Sequence, residues 1–163
     1  MKRMIALILS LLMLGGFALA ESAEPGLLRT AILYDISTMD VAMTTDNYLF
    51  PMNVFDRLFE TRPASGASEL VNSLATDYAV SADGLTYDFT LREGVVFSNG
   101  SALTASDVQY SFERLLKLAK QNTEIAEEIV GADAVMSGEA DSLEGFKVID
   151  LVSSQISRTL PPA

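Results

Sequence analysis

Carboxylates and hydroxyls are the side chains with which this chain could do chemistry. It has 163 residues, 22 of them Asp or Glu, with no His and no Cys. Without His it lacks the commonest general base, the Ser–His and Cys–His nucleophile pairs and imidazole metal ligands. Hydrolysis by carboxylates alone needs two acids at a defined separation across the scissile bond, and no spacing here singles out such a pair. The chain is therefore read as a non-enzyme with no catalytic residue, metal ligand or cofactor. An exported carboxylate-based hydrolase stands as an alternative.

Charge narrows the partners. Eleven Lys and Arg against 22 acids give a net charge of −11. Phosphate backbones are held by clustered Lys and Arg, and the basic residues here are scattered, so nucleic acid is not expected as a partner. Lys2 and Arg3 precede an apolar run, Met4 to Leu14, broken by Ser10 and followed by Gly15-Gly16 and Ala18-Leu19-Ala20. This is the layout of a secretory signal peptide, with cleavage expected after Ala20. A lipoprotein would need Cys next, but position 21 is Glu. Export to the periplasm as a soluble monomer is the expectation. A domain without disulfides must be held there by its core alone.

The elements that would position any site follow from periodicity. Leu27–Ile36 reads as a strand buried on both faces, with Leu28, Ala31, Leu33 and Ile36 apolar but not strictly alternating. Ser37–Asn47 is a polar loop. Asp46 is placed to cap a helix, Pro51 falls in its first turn, and Val54, Phe55, Leu58 and Phe59 have helical spacing. That helix is expected to stop before Pro63, in the turn-rich Arg62-Pro-Ala-Ser-Gly66. Tyr78–Val80 is a strand candidate, and Ser81-Ala-Asp-Gly84 is a turn.

The segment from Gly84 to Arg114 is the most legible. Leu85, Tyr87, Phe89 and Leu91 alternate with Thr86, Asp88, Thr90 and Arg92, the period of a half-buried strand. Glu93-Gly94 is a turn, Val95–Phe97 a short strand, and Asn99-Gly100 a turn dipeptide. Asn99-Gly100-Ser101 also fits the glycosylation sequon, and the turn reading is preferred. Thr104-Ala-Ser-Asp107 resembles a capping box. The helix it opens should run from about Ala105 to Ala119, with Val108, Phe112, Leu115, Leu116 and Ala119 on one stripe. Thr123–Met136 reads as a second helix, with Ile125, Ile129 and Val130 apolar and Gly131 arguing for a break or kink inside it. Gly138–Gly145 is an acidic loop, and Phe146–Ile149 begins a strand. Leu151–Ala163 has weak periodicity and ends in Pro-Pro-Ala, with no element predicted in it.

These motifs resemble those of the family 5 extracellular solute-binding proteins, which serve ABC importers of oligopeptides, dipeptides and nickel. Met39-Asp40-Val41 stands where the family has a Leu-Asp-Pro-like loop, and Phe55-Asp-Arg-Leu58 is similar to its Phe-Glu-Gly-Leu. Asn72-Ser-Leu-Ala-Thr-Asp-Tyr78 matches its Pro-x-Leu-Ala-x-x-Trp loosely, with Asn for Pro and Tyr for Trp. The block from Asp83 to Leu115 matches closely, and Asp141–Asp150 looks like the family's approach to its next strand.

The resemblance covers about residues 28–150, the N-terminal part of such a protein. It implies an α/β fold, part of a two-lobed periplasmic-binding-protein architecture. Residues 1–20 would be the signal peptide. Residues 21–57 would belong to the larger lobe, residues 58–150 to a small scaffold lobe, and residues 151–163 to an atypical tail attributed to a frameshift or truncation. The implied function is binding of a peptide-like solute for an ABC permease, in transmembrane transport. The alternative is a truncated remnant without binding activity. By position the resemblance implies ligand contacts at Thr44, Thr45, Asp46, Asn47 and Tyr48, with Asp46 meeting an amino terminus or only capping its helix. Gly84, Tyr87, Phe89, Gly94, Phe97, Gly100, Thr104 and Asp107 are read as residues that shape the fold.

Overall fold

A computed structural model describes residues 35–44, 49–118 and 123–159. The segment expected to be a signal peptide and the first predicted strand up to residue 34 lie outside the described residues. From Ile36 onward the described residues belong to one compact unit.

A four-stranded antiparallel sheet organises that unit. β3 (Ala75–Val80), β4 (Thr86–Leu91), β5 (Phe146–Val148) and β6 (Ser153–Ser157) lie in the order β3-β4-β6-β5. A separate hairpin joins β1 (Phe59–Ala64) to β2 (Ala67–Asn72). The helices are α1 (Leu49–Val54), α2 (Ala105–Leu118), α3 (Glu124–Glu127) and α4 (Ala132–Ser137). The mixed α and β content agrees with the sequence. The pairings among the described strands are antiparallel, which explains why β4 alternates so cleanly: one face of such a sheet meets the core and the other meets water.

The register aligns the inward residues. Tyr87 lies opposite Val80 on β3 and Ile156 on β6, and Phe89 opposite Tyr78 and Ser154. Phe146 of β5 pairs with Ile156. Helices cover this face. The core contains Leu116, Ala126, Ile129, Ala132, Val135, Leu143, Phe146 and Ile156, with Phe89, Val108, Phe112 and Leu115 packed against it. The outward residues Asp88 and Gln155 are exposed or half-exposed and joined by a hydrogen bond of 2.8 Å.

Three expectations are corrected. The first is the helix predicted to reach Phe59. It ends at Val54, and Val54 and Phe55 are 56% and 45% exposed. The carbonyl of Leu58 accepts the N–H groups of Ser73 and Ala75 at 3.2 and 3.0 Å, and that of Arg57 accepts Leu74 N–H at 2.9 Å. Phe59 meets Tyr78 edge-on at 5.3 Å. Pairing and aromatic packing thus draw Arg57–Phe59 into extended structure, overriding the helical spacing. Arg62-Pro-Ala is correspondingly strand, and the turn tightens to Ser65-Gly66, where Gly66 has φ 80°. Pro63 is tolerated because this two-stranded ribbon has open edges.

The second correction concerns Thr123–Met136, read as one helix with a break or kink at Gly131. It forms two short helices, α3 and α4, separated by Gly131 with φ 88°, and within α3 Ala126 is buried while Ile125 is 77% exposed. Similarly, Val95–Phe97 contributes only an isolated bridge, Val96 to Ala102.

The third is the stretch after Asp150, where no element is predicted. β6 lies there, bonded to β4 on one side and β5 on the other. Ser154 and Ile156 point inward at 3% and 8% exposure. A serine at one inward position hides the alternation.

Gly145 closes the fold where the backbones of Val130, Gly145 and Ser157 meet. Val130 N–H donates to Ser157 O at 3.0 Å, Gly145 N–H to Val130 O at 2.8 Å, and Ser157 N–H to Gly145 O at 2.7 Å. A Cβ on Gly145 would lie 2.7 Å from Ser157 O and 2.9 Å from Val130 N. Gly145→Ala is therefore expected to destabilise the chain by about 1–3 kcal/mol in urea unfolding. Ending the chain after Asp150 is expected to abolish its cooperative thermal transition, because β4 and β5 both lose β6. An unchanged melt followed by circular dichroism would show that β6 is dispensable.

Candidate functional site

The family-like block builds turns, a strand face and a helix cap. Gly84, Gly94 and Gly100 have φ of 72°, 73° and 87°, a region in which side chains are disfavoured. Gly84 N–H donates to Ser81 O, and Gly100 N–H to Phe97 O. Tyr87 and Phe89 stack at 6.4 Å on the inward face of β4, whereas Phe97 is 44% exposed at its turn.

At the start of α2, the carboxylate of Asp107 accepts both Thr104 N–H, at 2.8 Å, and the Thr104 hydroxyl, at 2.7 Å. The Thr hydroxyl is thus a donor here, while Asp107 N–H goes to the Thr104 carbonyl at 3.1 Å. Asp107 also places a negative charge in the first turn, where the helix dipole favours it.

Of the predicted contact residues, Thr44 is described and is only 3% exposed. Its backbone N–H donates to Asp40 O at 3.0 Å. Thr45, Asp46, Asn47 and Tyr48 lie outside the described residues. The turn that leads to them is wound on Asp40. Oδ1 of Asp40 accepts Ala42 N–H at 3.0 Å, and its carbonyl accepts Met43 N–H and Thr44 N–H, each at 3.0 Å. Asp40 N–H in turn donates to Thr38 Oγ1 at 3.1 Å.

Arg114 of α2 grips the same carboxylate. Its Nη1 donates to Asp40 Oδ1 at 3.0 Å and its Nη2 to Oδ2, a two-pronged ion pair between residues 74 positions apart. Beside it opens a largely apolar cavity of about 300 Å³, lined by Val41, Ala42, Tyr110, Phe112 and Leu115 among others. The hydrogen bond from Arg114 is the chief reason the Asp40 carboxyl sits below its ordinary 3.8. Partial burial opposes it, and the Ala42 N–H and the charge of Arg114 reinforce it. In the sequence Asp40 and Arg114 stand in separate motifs, and no local periodicity connects them.

A second cluster ties β6 back to the helices. Arg158 donates to Tyr87 Oη at 3.2 Å, lies over the Tyr87 ring at 5.9 Å and pairs with Glu128 Oε2. No group of three or more metal-binding side chains occurs among the described residues, and no described helix is long and apolar enough to cross a membrane.

The family model for the bacterial extracellular solute-binding proteins, family 5 Middle, matches residues 69–150. The chain belongs to this family. Among its relatives, a dipeptide-binding protein of Lactococcus lactis subsp. cremoris (strain MG1363) is 31% identical over 125 residues, 74% of this chain and 22% of the relative. A probable D,D-dipeptide-binding periplasmic protein of Escherichia coli (strain K12) is 32% identical over 128 residues, 74% of this chain and 25% of the relative. The crystal structure of a periplasmic oligopeptide-binding protein from Borrelia burgdorferi superposes with a TM-score of 0.63 at 25% identity, over 74% of this chain and 25% of that one. This family 5 chain thus spans about a quarter of the length of these relatives. The match runs from β2 through β3, β4, α2, α3 and α4 to β5.

The geometry around Asp40 has a pH signature. A carboxyl held low in the folded state contributes stability above its unfolded value, and that contribution is lost as pH falls through the folded value. Asp40→Asn should therefore lower the urea midpoint at pH 7. The gap to the unaltered chain should close as pH falls below about 4, the range of an unperturbed Asp. Equal midpoints for the two chains at pH 7 would show that the pair adds nothing.

Proposed function

We propose that this chain supplies the N-terminal scaffold of an extracytoplasmic solute-binding protein that delivers peptides to an ABC importer. The observation that carries this reading is the family match over residues 69–150, which coincides with the part of the chain whose turns, cap and core are most fully formed. The dipeptide-binding and oligopeptide-binding names of the relatives favour a peptide as solute. The mechanism is binding without catalysis: a solute is enclosed between two lobes, and closure is sensed by a membrane permease.

On this reading residues 1–20 are an export signal cleaved after Ala20, and the protein works in the periplasm as a monomer. Residues 21–57 belong to the larger lobe. Residues 58–150 are the scaffold lobe, and the pairing of Ser153–Ser157 with β4 and β5 supports counting β6 with it. We read Thr44, Thr45, Asp46, Asn47 and Tyr48 as the segment that supplies contacts to the solute; the buried Thr44 at its start is held by the carbonyl of Asp40. On this reading the backbone of the segment pairs with a peptide as an added strand, and the Asp46 carboxylate meets the peptide's amino terminus.

A thermal-shift titration with a panel of dipeptides and tripeptides tests the reading. Because ligand that binds only the folded state adds RT ln(1 + [L]/Kd), a peptide at a hundred times its Kd should stabilise the chain by about 2.7 kcal/mol and raise the melting midpoint. A cooperative melt that no peptide shifts would count against binding by this chain and favour a scaffold without binding activity.

A further inference from the structure

Independently of the binding reading, we propose that the outer edge of β3 at Tyr78–Val80 can pair with a second copy of this chain, and that the carboxylate of Asp77 keeps it closed. β3 is an end strand of its sheet, and within that sheet only β4 pairs with it. Ser81 N–H donates to Thr86 O at 2.9 Å, and Thr90 O accepts the Thr76 hydroxyl at 3.3 Å, so Thr86, Asp88 and Thr90 turn their backbone groups to β3. Asp77 and Ala79, opposite Thr90 and Asp88, answer them. The alternate residues Tyr78 and Val80 turn theirs to the outer edge.

That edge is covered in two ways. Up to Thr76 the neighbouring chain covers it: Leu58 O accepts Ala75 N–H at 3.0 Å, and Asn72 Nδ2 donates to Thr76 O. At Tyr78 the cover is a side chain, since Asp77 Oδ1 accepts Tyr78 N–H at 2.9 Å. Tyr78 and Val80 are 45% and 44% exposed, and Tyr78 continues an aromatic row, 5.3 Å from Phe59 and 6.5 Å from Phe89. An open edge with apolar side chains is a template for another strand. A copy related by a two-fold axis brings the same edge antiparallel, so Tyr78 and Val80 meet their counterparts on one face. Asp77 opposes this twice. It occupies the N–H that the added strand would use, and two carboxylates would face each other across the pair, where like charges destabilise.

Sedimentation velocity over a concentration series, with hydrogen exchange of the Val80 amide, tests this on the unaltered chain, Asp77→Ala and Asp77→Asn. The unaltered chain should stay monomeric. Asp77→Ala should dimerise with an association constant at least about tenfold higher. Its Val80 amide should exchange about tenfold more slowly at high concentration than at low. Asp77→Asn keeps an oxygen for Tyr78 N–H while losing the charge, and should fall between the two. Adding Val80→Pro to Asp77→Ala removes the outward N–H, which an edge strand tolerates, and should restore the monomer. Glu139→Gln removes an exposed acid elsewhere and should remain monomeric.

A monomeric Asp77→Ala that still melts cooperatively would overturn the proposal. So would dimerisation without slower Val80 exchange, or dimerisation of Glu139→Gln to the same degree, since either places the contact or its cause elsewhere. Slower Val80 exchange at high concentration in the unaltered chain would show that Asp77 does not close the edge. If Asp77→Ala does not melt cooperatively, Asp77→Asn carries the comparison by the same two measurements. If the double variant does not, exchange at Val80 decides.

Discussion

β4 is bonded along both edges, and the unit depends on that constraint. Thr86–Leu91 pairs with β3 on one side and β6 on the other, so its backbone polar groups are satisfied within the sheet. Its side chains can then divide by face. Phe89 reaches the core beneath α2, and Tyr87 receives Arg158 from the end of β6. Leu91 N–H donates to Val152 O at 2.7 Å, and Ala105 N–H, at the start of α2, to Leu151 O at 2.8 Å. The residues entering β6 thereby fix both the end of β4 and the first turn of the main helix. A strand short in apolar residues can hold this place because its neighbours bring the hydrophobic area.

α2 links the sheet to the rest. Its stripe of Val108, Phe112, Leu115 and Leu116 packs on the core, while its other side chains reach outward to hold loops. Glu113 accepts Leu143 N–H at 3.1 Å, and Lys117 donates to Asp141 O at 2.6 Å, tying down the acidic loop before β5. Arg114 does the same for the turn at Asp40. Helix positions that amphipathicity alone would assign to solvent thus act as arms. Each satisfies backbone or carboxylate groups that would otherwise compete for water.

The parts of the fold legible in the sequence are those whose information is local. β4 was readable because its two faces differ in environment, α2 because cap and stripe agree, and the turns because glycine is the residue that accepts their backbone angles. What was not legible depends on residues distant in sequence. Phe59 has helical spacing with Phe55, yet Tyr78 and the 73–75 backbone decide its conformation. Ser154 gives no hydrophobic signal, but it is buried because β4 and β5 flank its strand. Asp40 and Arg114 each stood inside a recognisable motif, and only the fold brings them within hydrogen-bonding distance. Of the candidate contact segment, the sequence suggested a loop, and the structure adds how its first residue is held.

This division bears on how the family block relates to binding. A block made of turn glycines, a cap and inward aromatics constrains shape, and shape tolerates few substitutions at such positions. A solute-contacting segment faces a different demand, since its side chains must suit the ligand while its backbone stays placed. Asp40 answers the need for placement within its own turn: its carboxylate and carbonyl hold the Ala42, Met43 and Thr44 amides, and Arg114 holds the carboxylate. The Asp40–Arg114 pair thereby ties the end of the block from Gly84 to Arg114 to a turn 74 positions away in sequence.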